Sequence, residues 1–307
     1  MPKQPHSFAS FLHYPGSAHL GLALASLFWA GNFVVGRALR DVIDPLTLNF
    51  WRWLLALVIL LVLTHKLLWT YRRELLRHWF LILALGLTGI AAFHTSVYIA
   101  LTTTTAVNAL LLFTLTPLLI MLGAWLFLGE RMHAIALLGV IVSLAGALVL
   151  IAHGDVQNLR DLSFGHGDLW MLLAVVMWAA YSLLLKRKPP ALPQTALVSA
   201  TTLAALVLML PFYLWDTRTD LRVLLSAEVL WALVYVALFA SVLAFWLWNR
   251  GVARIGAAKA GTYLYLMPVF GALLSYVFLG EGVQLFQLIG GALVITGIML
   301  SNRRGAR

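Results

Sequence analysis

Few residues carry functional groups into the long apolar stretches of this 307-residue chain, and most of those recur at helical spacing. Trp29 and Asn32 share a stripe with Ala25 and Gly36, and Trp178 and Tyr181 share one with Ala174 and Leu185. Steps of three and four residues put such sets on one helix face. His94 and Tyr98 lie on a third stripe with Leu87 and Ala91, and Ser241, Phe245 and Asn249 form a fourth. An amide or hydroxyl turned to lipid leaves its polar atoms unpaired, at a cost of a few kcal/mol. These stripes are therefore expected to face a cavity or a neighbouring helix. Rings beside amide, hydroxyl and imidazole groups can grip a small organic solute by stacking and hydrogen bonding.

The same inventory is poor in groups for covalent turnover. The chain has no cysteine, and all eleven acids fall in connections or at the ends of apolar stretches. No catalytic residue, metal site or cofactor is expected. Glu130 and Glu281 each follow a glycine that suits the end of a helix, Gly129 and Gly280, and read as caps of the next helix. Asp168 reads the same way, with His166 a loop residue. His94 is either a hydrogen-bonded tie between helices or a cavity-lining group. Arg52, between Trp51 and Trp53, either snorkels to the interface or binds a substrate carboxylate.

Two prolines, Pro117 and Pro268, stand inside apolar stretches near Phe113, Thr114, Thr116, Tyr263 and Tyr265. Proline removes one backbone hydrogen bond and kinks a helix, so each is either a hinge or a static kink. Trp29 and Trp178 lie near mid-stretch and could close a flat aromatic slot from two sides. Trp51, Trp53, Trp69, Trp79 and Trp170 lie near stretch ends, where interfacial belts form.

The elements that must position these residues are membrane helices. The chain is 62% hydrophobic and 10% charged, whereas soluble domains carry about a quarter charged residues. Ten stretches approach the ~20 apolar residues that span a bilayer: 18–40, 46–66, 79–101, 105–128, 132–152, 168–187, 194–215, 228–250, 257–279 and 284–302. With the N-terminus inside, fifteen Lys and Arg fall on inner segments and five on outer ones. The positive-inside rule then places both termini in the cytoplasm. The net charge of +10 is thereby topological, and nucleic acid is not an expected partner.

The chain also repeats itself. LTPLLIMLGAWLFLGE from Leu115 and LMPVFGALLSYVFLGE from Leu266 share seven of sixteen positions at an offset of 151, and Leu27-Phe28-Trp29-Ala30 overlies the Trp178 region at an offset of 149. The expected fold is all-α, with a first five-helix repeat over 18–152 and a second over 168–302. Around them lie a leader (1–17), a periplasmic linker (153–167) and a basic cytoplasmic tail (303–307). Five crossings per copy is odd, so the copies are inverted about an axis in the membrane plane. Each half can then adopt the other's shape, which favours alternating access. Spans 5 and 10 carry Gly139, Ser143 and Ala147 against Gly290, Gly291 and Gly297 and read as peripheral struts or an oligomer face.

Gly-Asp-Leu-Trp-Met-Leu-Leu-Ala at 167–174 with Trp178-Ala179, the two Leu-x-Pro…Leu-Gly-Glu stretches, and the run Ala253 to Ala260 resemble the EamA-type branch of the drug/metabolite transporter superfamily. The resemblance covers the chain after residue 17. It implies a ten-helix transporter of amino acids or similar small metabolites, often outward, most like the aromatic amino acid exporters of that branch. The scarcity of buried acids points to a neutral or zwitterionic solute moved without proton coupling, in the inner membrane, by a monomer or weak homo-oligomer. An importer, a proton-coupled carrier working through His94, a channel and a lipid-modifying enzyme are the alternatives.

Overall fold

A computed structural model of the chain describes residues 16–39, 41–104, 106–130, 133–155, 157, 165–215, 221–279 and 284–302. Among the described residues all regular structure is helical. Nine segments of the described residues are long and apolar enough to cross a membrane: α1 Ser17–Gly36, α2 Pro45–Thr70, α3 Trp79–Thr103, α4 Ala109–Leu128, α5 Ala134–Ile151, α6 His166–Arg187, α7 Gln194–Trp215, α8 Ala227–Ile255 and α9 Ala257–Leu274. A tenth, shorter apolar helix, α10, runs Leu285–Ser301. This is a multi-pass membrane protein. Residues 1–15 of the leader, most of the linker, Glu281 and the tail lie outside the described residues.

Local signals set several helix ends. Asp44 accepts a hydrogen bond from the Thr47 backbone N–H at 3.0 Å, and Pro45 opens α2, where its missing N–H is harmless. Asp168 in the first turn of α6 reaches back to the Gly165 N–H at 2.6 Å. α4 stops at Gly129, whose φ of +65° is the left-handed conformation that glycine takes without cost. The expected cap of the following helix does not form. His133 precedes α5 without a side-chain cap, and Glu130 turns elsewhere, as described below. α8 also runs five residues past the expected end at 250, to Ile255.

The duplication shows in the irregularities as well as the regular turns. α3 widens into a π-helical segment at Leu87–Ala91, and α8 does so at Val236–Leu243, starting 149 residues later. α4 breaks at Thr114–Leu115 just before Pro117. α9 tightens to a 3₁₀ turn at Thr262–Tyr265 just before Pro268. Proline's lost hydrogen bond and ring clash fall in both cases on the preceding turn.

Helix pairing obeys the inverted symmetry. α1 packs on α8 as α6 packs on α3, and α1 on α9 as α6 on α4, while α2–α7, α4–α9 and α5–α10 are pairs of equivalents. The α5–α10 seam is the tightest. A methyl group on Gly146 would come within 2.6 Å of the Gly290 carbonyl oxygen and 2.7 Å of the Val294 nitrogen. Ser143 donates to the Val294 carbonyl at 3.2 Å. Close backbone approach over small residues is how apolar helices adhere where lipid offers no hydrophobic drive. The small-residue faces of spans 5 and 10 are thus spent on each other.

Candidate functional site

At the crossing of α1, α3, α6 and α8 the aromatic residues converge. Trp29 and Trp178 meet edge to face, centroids 4.9 Å apart and planes at 85°. Phe245 touches both at 6.0 and 5.4 Å, and Trp248 does so at 5.5 and 5.6 Å. Phe93 lies 4.7 Å from Trp178. The expected flat slot between the two tryptophans is absent, because the positive edge of one ring meets the negative face of the other. The paired rings fill the axis.

Beside them lies a cleft walled by Trp29, Asn32, Phe33, Phe93, His94, Val97, Phe113, Trp178 and Met267, with a volume of about 20 Å³. That holds little more than one water, so the cleft is occluded. One of its polar groups, the Trp178 indole N–H, has no partner among the described residues, whereas His94 is met by the Ile90 and Gly89 backbone of its own π-segment. Trp29, by contrast, donates its indole N–H to the Ala240 carbonyl at 2.9 Å, within the α8 π-segment. The symmetric tryptophans therefore differ, one tied and one with a donor to spare. An unmet buried polar group costs roughly 1–3 kcal/mol, which a bound guest can recover.

Toward the Gly36 end of α1 the cleft is backed by Arg52. The side chain is fully buried, which overturns the snorkelling expectation. Its Nη1 donates to Asn32 Oδ1 at 3.0 Å and to the Tyr98 hydroxyl at 2.7 Å. Nε and Nη2 both donate to Ser241 Oγ at 3.1 and 2.9 Å, and the Ser241 hydroxyl donates to the Val236 carbonyl at 2.8 Å. The π-segment of α8 presents that serine. Trp53, expected in an interfacial belt, is also fully buried, against His94 and Phe245 at 5.4 and 4.9 Å and under the guanidinium at 5.3 Å. Trp51 is half-buried and donates to the Tyr213 hydroxyl at 2.9 Å. Trp69, Trp79 and Trp170 are exposed, as a belt requires.

Toward the Ser17 end, Tyr181 donates to Asn249 Oδ1 at 2.7 Å. These are the repeat equivalents of Asn32 and Tyr98, with amide and phenol exchanged. Thr114, Phe113, Pro117, Tyr265 and Pro268 wall a second cleft of about 10 Å³ between α4 and α9, and the Tyr265 hydroxyl lacks a partner there among the described residues. Tyr263 stands apart from both clefts. Its hydroxyl meets His19 and Asn302, and its carbonyl accepts from Ser26 at 2.8 Å. Sequence reasoning missed Trp248 and Phe93, although Trp248 continues the stripe of Ser241 and Phe245.

Glu130 closes the Ser17 end. Its carboxylate pairs with Lys186 at 3.3 Å and faces the Ala258 backbone N–H at 3.5 Å, at the start of α9. It joins the end of α4 to two helices of the other repeat. Nearby, the Lys188 ammonium donates to the Pro189 carbonyl at 3.0 Å, and burial lowers its pKa. A larger cavity of about 390 Å³ lies between α2, α3, α6 and α7. Its walls include the exposed side chains of Leu87, Trp170 and Phe212, so it opens on the lipid-facing surface away from the paired tryptophans.

Comparison with known proteins agrees with the duplicated helical fold. The model of the EamA-like transporter family matches the chain twice, at residues 16–152 and 165–303. A probable terminal-alkyne amino-acid exporter of Streptantibioticus cattleyicolor is 30% identical over 286 residues, covering 92% of each chain. The transporter YyaM of Bacillus subtilis is 27% identical, covering 90% of each. A probable amino-acid metabolite efflux pump of Escherichia coli is 26% identical over 59% of this chain and 62% of its own. A crystal structure with 21% sequence identity superposes with a TM-score of 0.75 over 94% of this chain and 97% of that one; it shares the fold.

Proposed function

We propose, from the premise that this chain belongs to the EamA-like transporter family, that it exports neutral amino acids, aromatic ones included, by alternating access. One observation carries the choice of solute. An aromatic cleft at the crossing of the two repeats holds an unsatisfied donor, the Trp178 N–H, beside the Asn32 amide and the His94 imidazole. A guest with an apolar side chain and a polar backbone matches such a wall on both counts. The named activities of the Streptantibioticus and Escherichia relatives point the same way.

The mechanism follows from the symmetry. Tyr181–Asn249 and Glu130–Lys186 hold the Ser17 end shut, and the Arg52 cluster holds the Gly36 end. Opening one end while the other stays closed exposes the cleft to one side at a time, with Pro117 and Pro268 as the hinges of α4 and α9. The Ser17 end faces the cytoplasm, following the Lys and Arg distribution. No carboxylate lines the cleft among the described residues, which supports uncoupled movement down the solute's own gradient.

The test is counterflow in proteoliposomes with labelled amino acids, sugars and nucleosides, with and without a pH gradient. Saturable movement of neutral amino acids at equal initial rates in both conditions is the expected result. Movement of nucleosides or sugars alone would overturn the solute class, and a rate that follows the gradient would overturn the uncoupled mechanism.

A further inference from the structure

Arg52 sits in this bundle with only neutral hydrogen-bond partners among the described residues. It is 0% exposed, seven residues inside the start of α2, about 10 Å along the helix axis. Its oxygen partners are an amide, a phenol and a serine hydroxyl, all neutral. The ion pairs of Glu74 and Glu130 do not involve Arg52. A buried charge is costly to hold unless it is paired. Three dipoles and the Trp53 face lower that cost without cancelling it.

The donors are also incompletely used. A guanidinium has five N–H groups, and the contacts here number four, two of them converging on the single oxygen of Ser241. One Nη2 hydrogen is left over. Nη2 and Nε form the edge of the fork that matches a carboxylate in two-point fashion. That edge is now held by one small hydroxyl from the other repeat. Asn32, which takes Nη1, is itself a wall of the occluded cleft. Arg52 thus reaches the guest space through that amide, and its other partner, Ser241, lies on α8; α1 and α8 must both shift when the bundle opens.

We propose that Arg52 is the carboxylate-recognition residue of this transporter, accepting the solute's anionic group in place of Ser241 while Trp29, Trp178 and Phe245 hold its side chain. The assignment rests on the amino-acid reading above and deepens it by giving the solute an orientation. The carboxylate points to the Gly36 end, and the side chain lies among the rings. The second repeat supplies no equivalent, since α7 contains no charged residue. The recognition site therefore lies off the symmetry axis, and the guest has one orientation in both states of the carrier.

Binding tests this separately from transport. The purified full-length protein in detergent is titrated with phenylalanine, 3-phenylpropionate, phenylalaninamide and phenethylamine, following thermal stabilisation. The first two keep the carboxylate, and the last two replace or remove it. Carboxylate-bearing probes are expected to bind about tenfold more tightly or better, the range of one charge-assisted hydrogen bond. Arg52→Gln should erase that preference while leaving the amide's affinity within about twofold, and Arg52→Lys, which keeps the charge without the fork, should retain part of it. Equal binding of acid and amide by the unaltered protein overturns the proposal, even if Arg52→Gln does not fold. So does an Arg52→Gln variant that still prefers the acid, or stabilisation by none of the four. Acid-selective stabilisation without counterflow would instead sink the export reading and leave the Arg52 assignment standing.

Discussion

Two polar pairs occupy equivalent places at opposite ends of the aromatic centre, and they are built differently. At the Ser17 end Tyr181 and Asn249 form one short hydrogen bond of 2.7 Å. At the Gly36 end Asn32 and Tyr98 stand 3.4 Å apart, because both oxygens are turned onto Arg52. Duplication supplied the frame twice, and one cation placed on a single copy made the ends unequal. A carrier whose halves were interchangeable would bind its guest equally well either way round. The difference teaches that polarity in this bundle comes from a side chain that breaks the repeat, laid over a backbone that keeps it.

The largest expected effect tests whether both ends share one rigid spine. Gly146→Leu drives a side chain into the Gly290 carbonyl and the Val294 nitrogen, backbone atoms that cannot rotate away. Overpacking costs about 1–3 kcal/mol where a core can adjust, and more is expected here. The melting temperature should fall by several degrees, with the KM for solute in the surviving protein unchanged. A changed KM at unchanged stability would mean that α5 and α10 move with the cleft, and the two ends could no longer be compared as separate gates.

Next come the two tyrosines, whose unequal responses are the comparison's sharpest check. Tyr98→Phe removes the acceptor 2.7 Å from Arg52 Nη1 and strands a hydrogen of a buried cation, a loss of about 1–3 kcal/mol or more. Tyr181→Phe removes a neutral bond to an amide oxygen, worth about 0.6–1 kcal/mol in a membrane bundle. Both keep the ring and its stacking. Thermal melts of the two variants should therefore differ, with Tyr98→Phe the less stable. Equal melts would mean that Arg52 leaves no energetic mark on its end of the bundle.

Much of this was legible in the chain itself, for identifiable reasons. Pro117 and Pro268 gave away the breaks in α4 and α9 because proline acts on the backbone wherever it stands. Glycine spacing along α5 and α10 gave their close packing, since small residues have few other uses in lipid. The stripes of Trp29, Asn32, Trp178 and Tyr181 were readable because period 3.6 survives in any helix. Trp53 was misread, and Arg52 stood open between interface and carboxylate site, because a basic residue flanked by tryptophans near a helix end looks the same whether it faces lipid or protein. Only the packing of α8, with Ser241 lifted by its π-segment, decides that. The partners of Glu130 were likewise hidden, since they belong to helices more than fifty residues away. The edge-to-face contact of Trp29 with Trp178 depends on side-chain rotation, which spacing does not encode.

The smallest effect concerns the lock at the Ser17 end. Glu130 and Lys186 are 3.3 Å apart with side chains 25% and 30% exposed, so water and salt weaken the pair. Such ion pairs contribute about 0.2–1 kcal/mol. Glu130→Gln keeps an oxygen for the Ala258 N–H and removes the charge that Lys186 meets. Its melting temperature should fall by at most a degree or two, and the deficit should shrink as salt rises toward 1 M, where screening acts over about 3 Å. The functional shift should be one-sided: if the pair holds the Ser17 end shut, a cysteine placed at Ser26 should react faster with a thiol reagent in the variant than in the parent. A cysteine at Asn32 would disturb the Arg52 cluster, so the opposite end is best sampled from Val35, which is half-buried. Faster labelling at both positions would show that breaking the pair loosens the whole bundle. Faster labelling at Ser26 alone would mark Glu130 as the weaker of two unequal gates, the one without a buried cation behind it.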